Sequence, residues 1–168
     1  VSGCVVFFFF QAEDGIRDYD VLEFRRVLFR SFPNIHFHSA VSPQELGKYT
    51  VCADVGLCLI EDCCLSYRYC LPNKLFEYLA AGLPTIISNL PDMARVIDNF
   101  QCGWIVEPNS ESVAAVVNGI TPEVLAEKAT AARSSRQEFT WEEEEHTLIA
   151  VYSKDFPRNL RVPVEQGN

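Results

Sequence analysis

From Asp54 onward the chain alternates short apolar runs with amphipathic stretches punctuated by Pro and Gly. Asp54 to Ile60 (DVGLCLI) and Leu83 to Ser88 (LPTIIS) are strand-length apolar runs, as expected of strands buried on both faces. Trp104 to Val106 reads as another short strand, ended by Pro108. Upstream, Asn34 to Ala40 (NIHFHSA) alternates apolar and polar, the period of a strand. Helical patterns fill the intervals. Ser42-Pro43 leads into a short helix over Gln44 to Ala53, with Pro at a first helical position and Glu45 near the positive end. Pro72 opens a helix over Asn73 to Ala81, closed by Gly82. Pro91 starts another, running to about Asn99. Ser110 caps a helix reaching Asn118, Pro122 to Phe139 is longer, and Thr140 caps one reaching about Asp155. Glu61 to Leu71 reads as a loop and Pro157 to Asn168 as a polar tail.

Four strand–helix alternations with short connections predict an α/β fold with a doubly wound parallel sheet and further helices at the C-terminal end. In such sheets ligands gather beyond the carboxyl ends of the strands, beside helix N-termini. The loops after Ile60 and after Ala40 are therefore the places to look for chemistry.

Composition narrows the function classes. A net charge of −9 over 168 residues argues against a nucleic-acid partner, which needs a basic surface. No apolar run approaches the roughly 20 residues of a membrane helix, and Cys4 to Phe10 lacks the basic start of a signal peptide. Seven irregularly spaced cysteines fit reduced thiols and a cytoplasmic setting better than a disulfide framework.

The first 31 residues stand apart. Gln11 to Asp18 (QAEDGIRD) and Glu23 to Ser31 (EFRRVLFRS) resemble, in order, the two halves of a translated sequencing-library adapter. Phe7 to Phe10 matches a poly-T run, and Tyr19 to Leu22 the variable index. The expected organisation is thus a foreign segment over 1–31, a partial domain over 32–156 and a polar tail over 157–168. Without the first segment the chain carries 18 acids against 10 bases. The native part is expected to begin near Phe32, with its upstream portion missing.

The informative stretch is CLPNKLFEYLAAGLPTIISNLPDM, residues 70–93. A helix start at Pro72 presents backbone donors and the positive end of a dipole, an anion site even in an acidic protein. Lys74 adds a cation in the first turn. Glu77 lies among Leu75, Phe76, Tyr78, Leu79, Ala80 and Ala81, so its carboxylate has to face solvent or a polar ligand. Two oxygens side by side suit the vicinal diol of a ribose. Asn73, four residues earlier, lies on the same face. The competing reading pairs an exposed Glu77 with Lys74 at i,i+3 for a few tenths of a kcal/mol, and spacing alone favours it.

Over about residues 33–155 the chain resembles the C-terminal half of a GT-B glycosyltransferase of family 4, the glycosyl transferases group 1. The matching pieces are ELGKYTVCADVGLCLIED, PNKLFEYLAAGLPTIISNLPDM, CGWIVEP and FTWEEEEHTLIAVY. The resemblance implies a nucleotide-sugar donor held in this domain, with Glu77 matching the second Glu of an E-x7-E pattern and binding the ribose. It implies that Cys70, Leu71, Asn73 and Lys74 belong to the stretch whose amides hold the diphosphate. Tyr69 stands where many relatives carry the first Glu, against the donor sugar; Glu61 and Asp62, in the same loop, are weaker substitutes. The implied reaction is retaining hexosyl transfer to a glycan, lipid-linked or small-molecule acceptor, with no metal or other cofactor. The acceptor-binding half, and any peripheral membrane attachment through it, lies outside this chain. The alternatives are a GT-B sugar-nucleotide epimerase and a non-catalytic α/β module.

Other candidates have plainer readings. His36 and His38 share a strand face, but no third ligand at zinc spacing accompanies them. Cys63-Cys64 is no metal or redox signature and reads as a pair of loop thiols. Glu142 to Glu145 read as a solvated helix start, and Trp104 as core. If the strand order is 3-2-1-4-5-6, the strands read here are 3, 4, 5 and 6. Strand 3 then lacks its neighbour and strand 4 has an open edge. The foreign segment is able to fill that edge without functional meaning. The fragment is expected to fold poorly alone and to be inactive.

Overall fold

The computed structural model describes residues 6–8, 42–139 and 141–155. Four parallel strands lie side by side in chain order: β1 (Val6–Phe8), β2 (Val55–Cys58), β3 (Thr85–Ser88) and β4 (Gly103–Val106). Their registers place Val6 beside Val55, Gly56 beside Thr85, and Thr85 beside Gly103. The helices are α1 (Pro43–Thr50), α2 (Leu65–Arg68), α3 (Asn73–Ala80), α4 (Pro91–Phe100), α5 (Ser110–Gly119), α6 (Pro122–Ser135) and α7 (Trp141–Asp155). A 3-10 turn, Arg136–Phe139, joins the last two.

This is the expected α/β sheet, wound on both faces. Each residue of β2 and β3 is buried, as parallel strands require. Below one face, Leu75, Tyr78 and Leu79 of α3 and Met93 and Ile97 of α4 pack on Cys58 and Ile87, with Ala132 of α6 behind. On the other face Val113, Val116 and Val117 of α5 cover Val55, Leu57, Ile86 and Val106. The helices α3 and α4 connect successive parallel strands, so they run antiparallel to them. Their N-termini accordingly lie at the carboxyl end of the sheet.

Two glycines set how α3 sits. A Cβ on Gly56 would stand 2.5 Å from Cδ2 of Tyr78, so the bare backbone of β2 makes room for that ring. Gly82 takes φ +73°, the left-handed conformation that ends the helix. There its amide bonds the Leu79 carbonyl and the Leu83 amide bonds the Tyr78 carbonyl, both at 2.9 Å.

Several expectations shift by a residue or more. The α3 helix begins at Asn73 as expected, behind Pro72 as its N-cap with an extended ψ of 141°, and ends at Ala80, one residue short of Ala81. The cap of α5 is Asn109, whose side chain accepts from the Ser112 amide at 2.8 Å; Ser110 is the first residue inside. The α1 helix stops at Thr50, whose hydroxyl turns back to the Leu46 carbonyl at 3.0 Å. The helix expected over Pro122 to Phe139 tightens into the 3-10 turn after Ser135, where Phe139 stacks between Phe76 and Phe100 at 5.3 and 5.1 Å between ring centroids. Trp104 is half-buried against the second cluster. The expected strand over Asn34 to Ala40, the histidines His36 and His38, the cap Thr140 and the tail 157–168 fall outside the described residues. The place next to β2 is taken by β1, from the segment set apart in the sequence. Among the described residues no helix is long and apolar enough to cross a membrane.

Gly56→Ala is expected to force Tyr78 or α3 outward and to destabilise the domain by about 1–3 kcal/mol. Urea denaturation checks it; an unchanged midpoint would show that the ring moves aside at no cost.

Candidate functional site

At the carboxyl end of β2 the chain leaves the sheet through Leu59 and Ile60. Ser88, at the end of β3, accepts the Ile60 amide on its hydroxyl at 2.7 Å. The hydroxyl is almost wholly buried, so this bond pins the loop to the strand tips. The loop is not irregular throughout. The Cys64 carbonyl accepts the Tyr67 and Arg68 amides at 3.0 and 2.9 Å, closing the single turn α2. The Arg68 guanidinium reaches Asp62 at 3.1 Å. Leu65, Tyr67, Tyr69 and Leu71 project into solvent around this turn.

Cys70 then turns inward against the larger core cluster and brings the chain to α3. Its amide is committed to the Tyr67 carbonyl at 3.3 Å and is not a free backbone donor. The Leu75 amide returns to the Pro72 carbonyl at 3.0 Å. No side chain caps α3, and the first-turn amides of an α-helix have no intrahelical acceptor. Leu75, Tyr78 and Leu79 form the buried stripe. At 100° per residue, Asn73 and Glu77 lie on the opposite side of the helix, with Lys74 between them and the stripe. Asn73 is exposed, while Lys74 and Glu77 are half-buried. Glu77 is not among the buried residues of α3. Helix α3 thus presents Asn73, Lys74 and Glu77 together near the strand tips.

The remaining candidates divide. Leu71 is 44% exposed just ahead of the helix start. Glu61, Asp62 and Tyr69 are exposed in the loop, and Asp62 is engaged by Arg68. Partial desolvation, then the neighbouring Cys64 thiol, push the Cys63 thiol above its ordinary value, which lowers its thiolate fraction and its fitness as a nucleophile. Two surface clefts lie elsewhere among the described residues. One, of about 360 Å³, is bounded by Asn89, Glu107, Ser112 and Val116 beyond β4. Another, of about 420 Å³, lies at the amino end of the sheet beside Asp54, Pro84 and Arg133.

A sequence model describing glycosyl transferases group 1 matches residues 16–121. The chain belongs to this family. No curated protein matches it. Among solved structures, sucrose-phosphate synthase from Thermosynechococcus elongatus is similar, with a TM-score of 0.65 at 18% identity. The likeness covers 82% of this chain and 34% of that one, so the chain spans about a third of that structure's length. It shows the shared fold, a Rossmann-like domain of GT-B type. The pattern of the sequence announces neither the Ser88 hydroxyl bond nor the α2 turn. A polar residue closing the apolar run LPTIIS is the one available signal for the first.

Ser88→Ala is expected to leave the Ile60 amide without its acceptor, at a cost of about 1–3 kcal/mol. Amide hydrogen exchange should show Ile60 and the following loop opening faster, with β3 still protected. Unchanged protection at Ile60 would mean the loop is held by other contacts.

Proposed function

We propose that this chain is the nucleotide-sugar-binding part of a glycosyltransferase. Its parent moves a hexose from a nucleoside-diphosphate donor to a glycan, lipid-linked or small-molecule acceptor. The observation that carries this reading is the head of α3: an uncapped helix start near the strand tips, with Glu77 one turn on and off the core.

In transfer, the bond between the anomeric carbon and the diphosphate oxygen breaks, and negative charge builds on the leaving phosphates. Amides at the helix head, the positive end of its dipole and the Lys74 ammonium stabilise that charge. In this reading they take the place of a divalent cation, and no cofactor is needed. The Glu77 carboxylate accepts both ribose hydroxyls, and Asn73 flanks the same ligand. Leu71 and the backbone after Cys70 approach the phosphates. Tyr69, Glu61 and Asp62 form the second rank of candidates, on the side of the sugar. Retention of anomeric configuration belongs to the same proposal. The acceptor binds on a second lobe, which completes the surface beside α3 and provides any attachment to a membrane; the setting is cytoplasmic. Residues 1–31 take no part in the chemistry, and the chain alone transfers no sugar.

Titration with nucleoside diphosphates and their sugar conjugates tests this. Glu77→Ala is expected to weaken binding about 10- to 100-fold, the loss of roughly 1.5–3 kcal/mol for hydrogen bonds to a charged group. Equal affinity in the variant would remove Glu77 from the site. Interconversion of free sugar nucleotides without an acceptor would mark an epimerase. Absence of any nucleotide affinity, with the missing half restored, would leave a non-catalytic module.

A further inference from the structure

The cleft beyond β4 lies apart from the head of α3, and its walls carry one consistent chemistry. Val106, at the end of β4, and Ala115 and Val116 of α5 give it an apolar side. Its polar side chains are Asn89 just past β3, Glu107 just past β4, and Ser112 in the first turn of α5. All three stand at the carboxyl end of the sheet, where folds of this kind collect ligands. The volume of about 360 Å³ is that of a small-molecule site.

Hydrogen-bond stoichiometry selects the ligand. Asn89 turns its side-chain nitrogen to Glu107 Oε1 at 3.3 Å, and its backbone N–H to the Val106 carbonyl at 2.9 Å. The Ser112 amide donates to Asn109 Oδ1 at 2.8 Å, so the head of α5 does not offer that donor to an anion. What these side chains bring to the cleft is oxygen: the Asn89 carboxamide oxygen, the second Glu107 carboxylate oxygen and the Ser112 hydroxyl. No lysine, arginine or histidine lines the cleft, and the chain as a whole carries a charge of −9. A phosphate or carboxylate would meet repulsion there. A neutral sugar hydroxyl accepts as well as donates, and the Asn89 nitrogen is engaged by Glu107. Three oxygen acceptors with one negative charge instead match a group that donates three hydrogen bonds, accepts none and carries one positive charge. We propose that this cleft binds a primary alkylammonium, its charge paired with Glu107 and its hydrocarbon chain along Val106, Ala115 and Val116. Asn89 directly follows Ser88, whose hydroxyl holds the β2–α3 loop, so the occupant sits one residue from that tether. The site stands independently of the donor-binding reading, because it uses a different helix and none of the same side chains.

Titration of the 15N-labelled 168-residue chain with n-butylammonium chloride, followed by amide chemical shifts, provides the test. The expected result is saturable shifts at Asn89, Glu107, Ser112 and Val116, with a dissociation constant on the order of millimolar for so small a ligand. 1-Butanol, which has the same hydrocarbon chain without the charge, should bind at least about 10-fold more weakly, the loss expected for one hydrogen-bonded charge. Glu107→Gln should weaken the ammonium by a similar factor. Glu111→Gln, at an exposed acid of α5 outside the cleft, should leave it unchanged. Retained amide dispersion establishes that both variants are folded. Shifts that do not saturate, equal affinity for butanol, or undiminished binding in Glu107→Gln overturns the proposal.

Discussion

The structure depends on how closely α3 can approach β2, and one contact sets that distance. Among the described residues Tyr78 is the largest fully buried side chain, and its ring lies where Gly56 has no Cβ. Its hydroxyl is spent on the Leu57 carbonyl at 3.5 Å, so the buried phenol keeps a polar partner. An aromatic ring brings a large apolar area to one point of a thin layer. With the ring in place, Leu75 one turn earlier and Leu79 beside it complete the stripe. The head of α3 then stands near the strand tips with Asn73, Lys74 and Glu77 on its outer side.

Much of this order is visible in the sequence, because it rests on local signals that the tertiary structure does not override. The runs DVGLCLI and LPTIIS are apolar throughout, which suits strands covered on both faces, and each became a strand shorter than its run. Pro91 starts its helix as the pattern suggests, and Gly82 ends α3 in the left-handed conformation. What the sequence hides is non-local or competes between neighbours. Asn109 and Ser110 are both good caps, and adjacent positions leave the choice to backbone geometry. The bond from Ile60 to Ser88 spans 28 residues, which no window detects. The α2 turn is too short for a periodic signal and is held by carbonyl sharing at Cys64 and an ion pair. In the candidate site, the grouping of Asn73, Lys74 and Glu77 follows from helical spacing alone. The inward turn of Cys70 does not, since a cysteine in a loop gives no indication of burial.

The chain belongs to the glycosyl transferases group 1 and shares the fold of a GT-B-type domain. In parallel sheets with helical crossovers, helix heads collect at one end, and an anionic ligand meets several of them at once. The net negative charge of the chain does not oppose this. The relevant potential is local, set by backbone dipoles and one ammonium within a turn of each other.

The far end of α3 has its own consequence. Any side chain at Gly82 would run into the Arg133 stem, with a Cβ only 2.6 Å from Cγ. The tail of α3 is therefore butted against α6, while its head is uncapped. A rod braced at the rear and open at the front cannot slide along its axis to meet a ligand. Adjustment at the strand tips has to come from the segment leading into α3, which makes residues 61–71 the compliant part of an otherwise rigid mount.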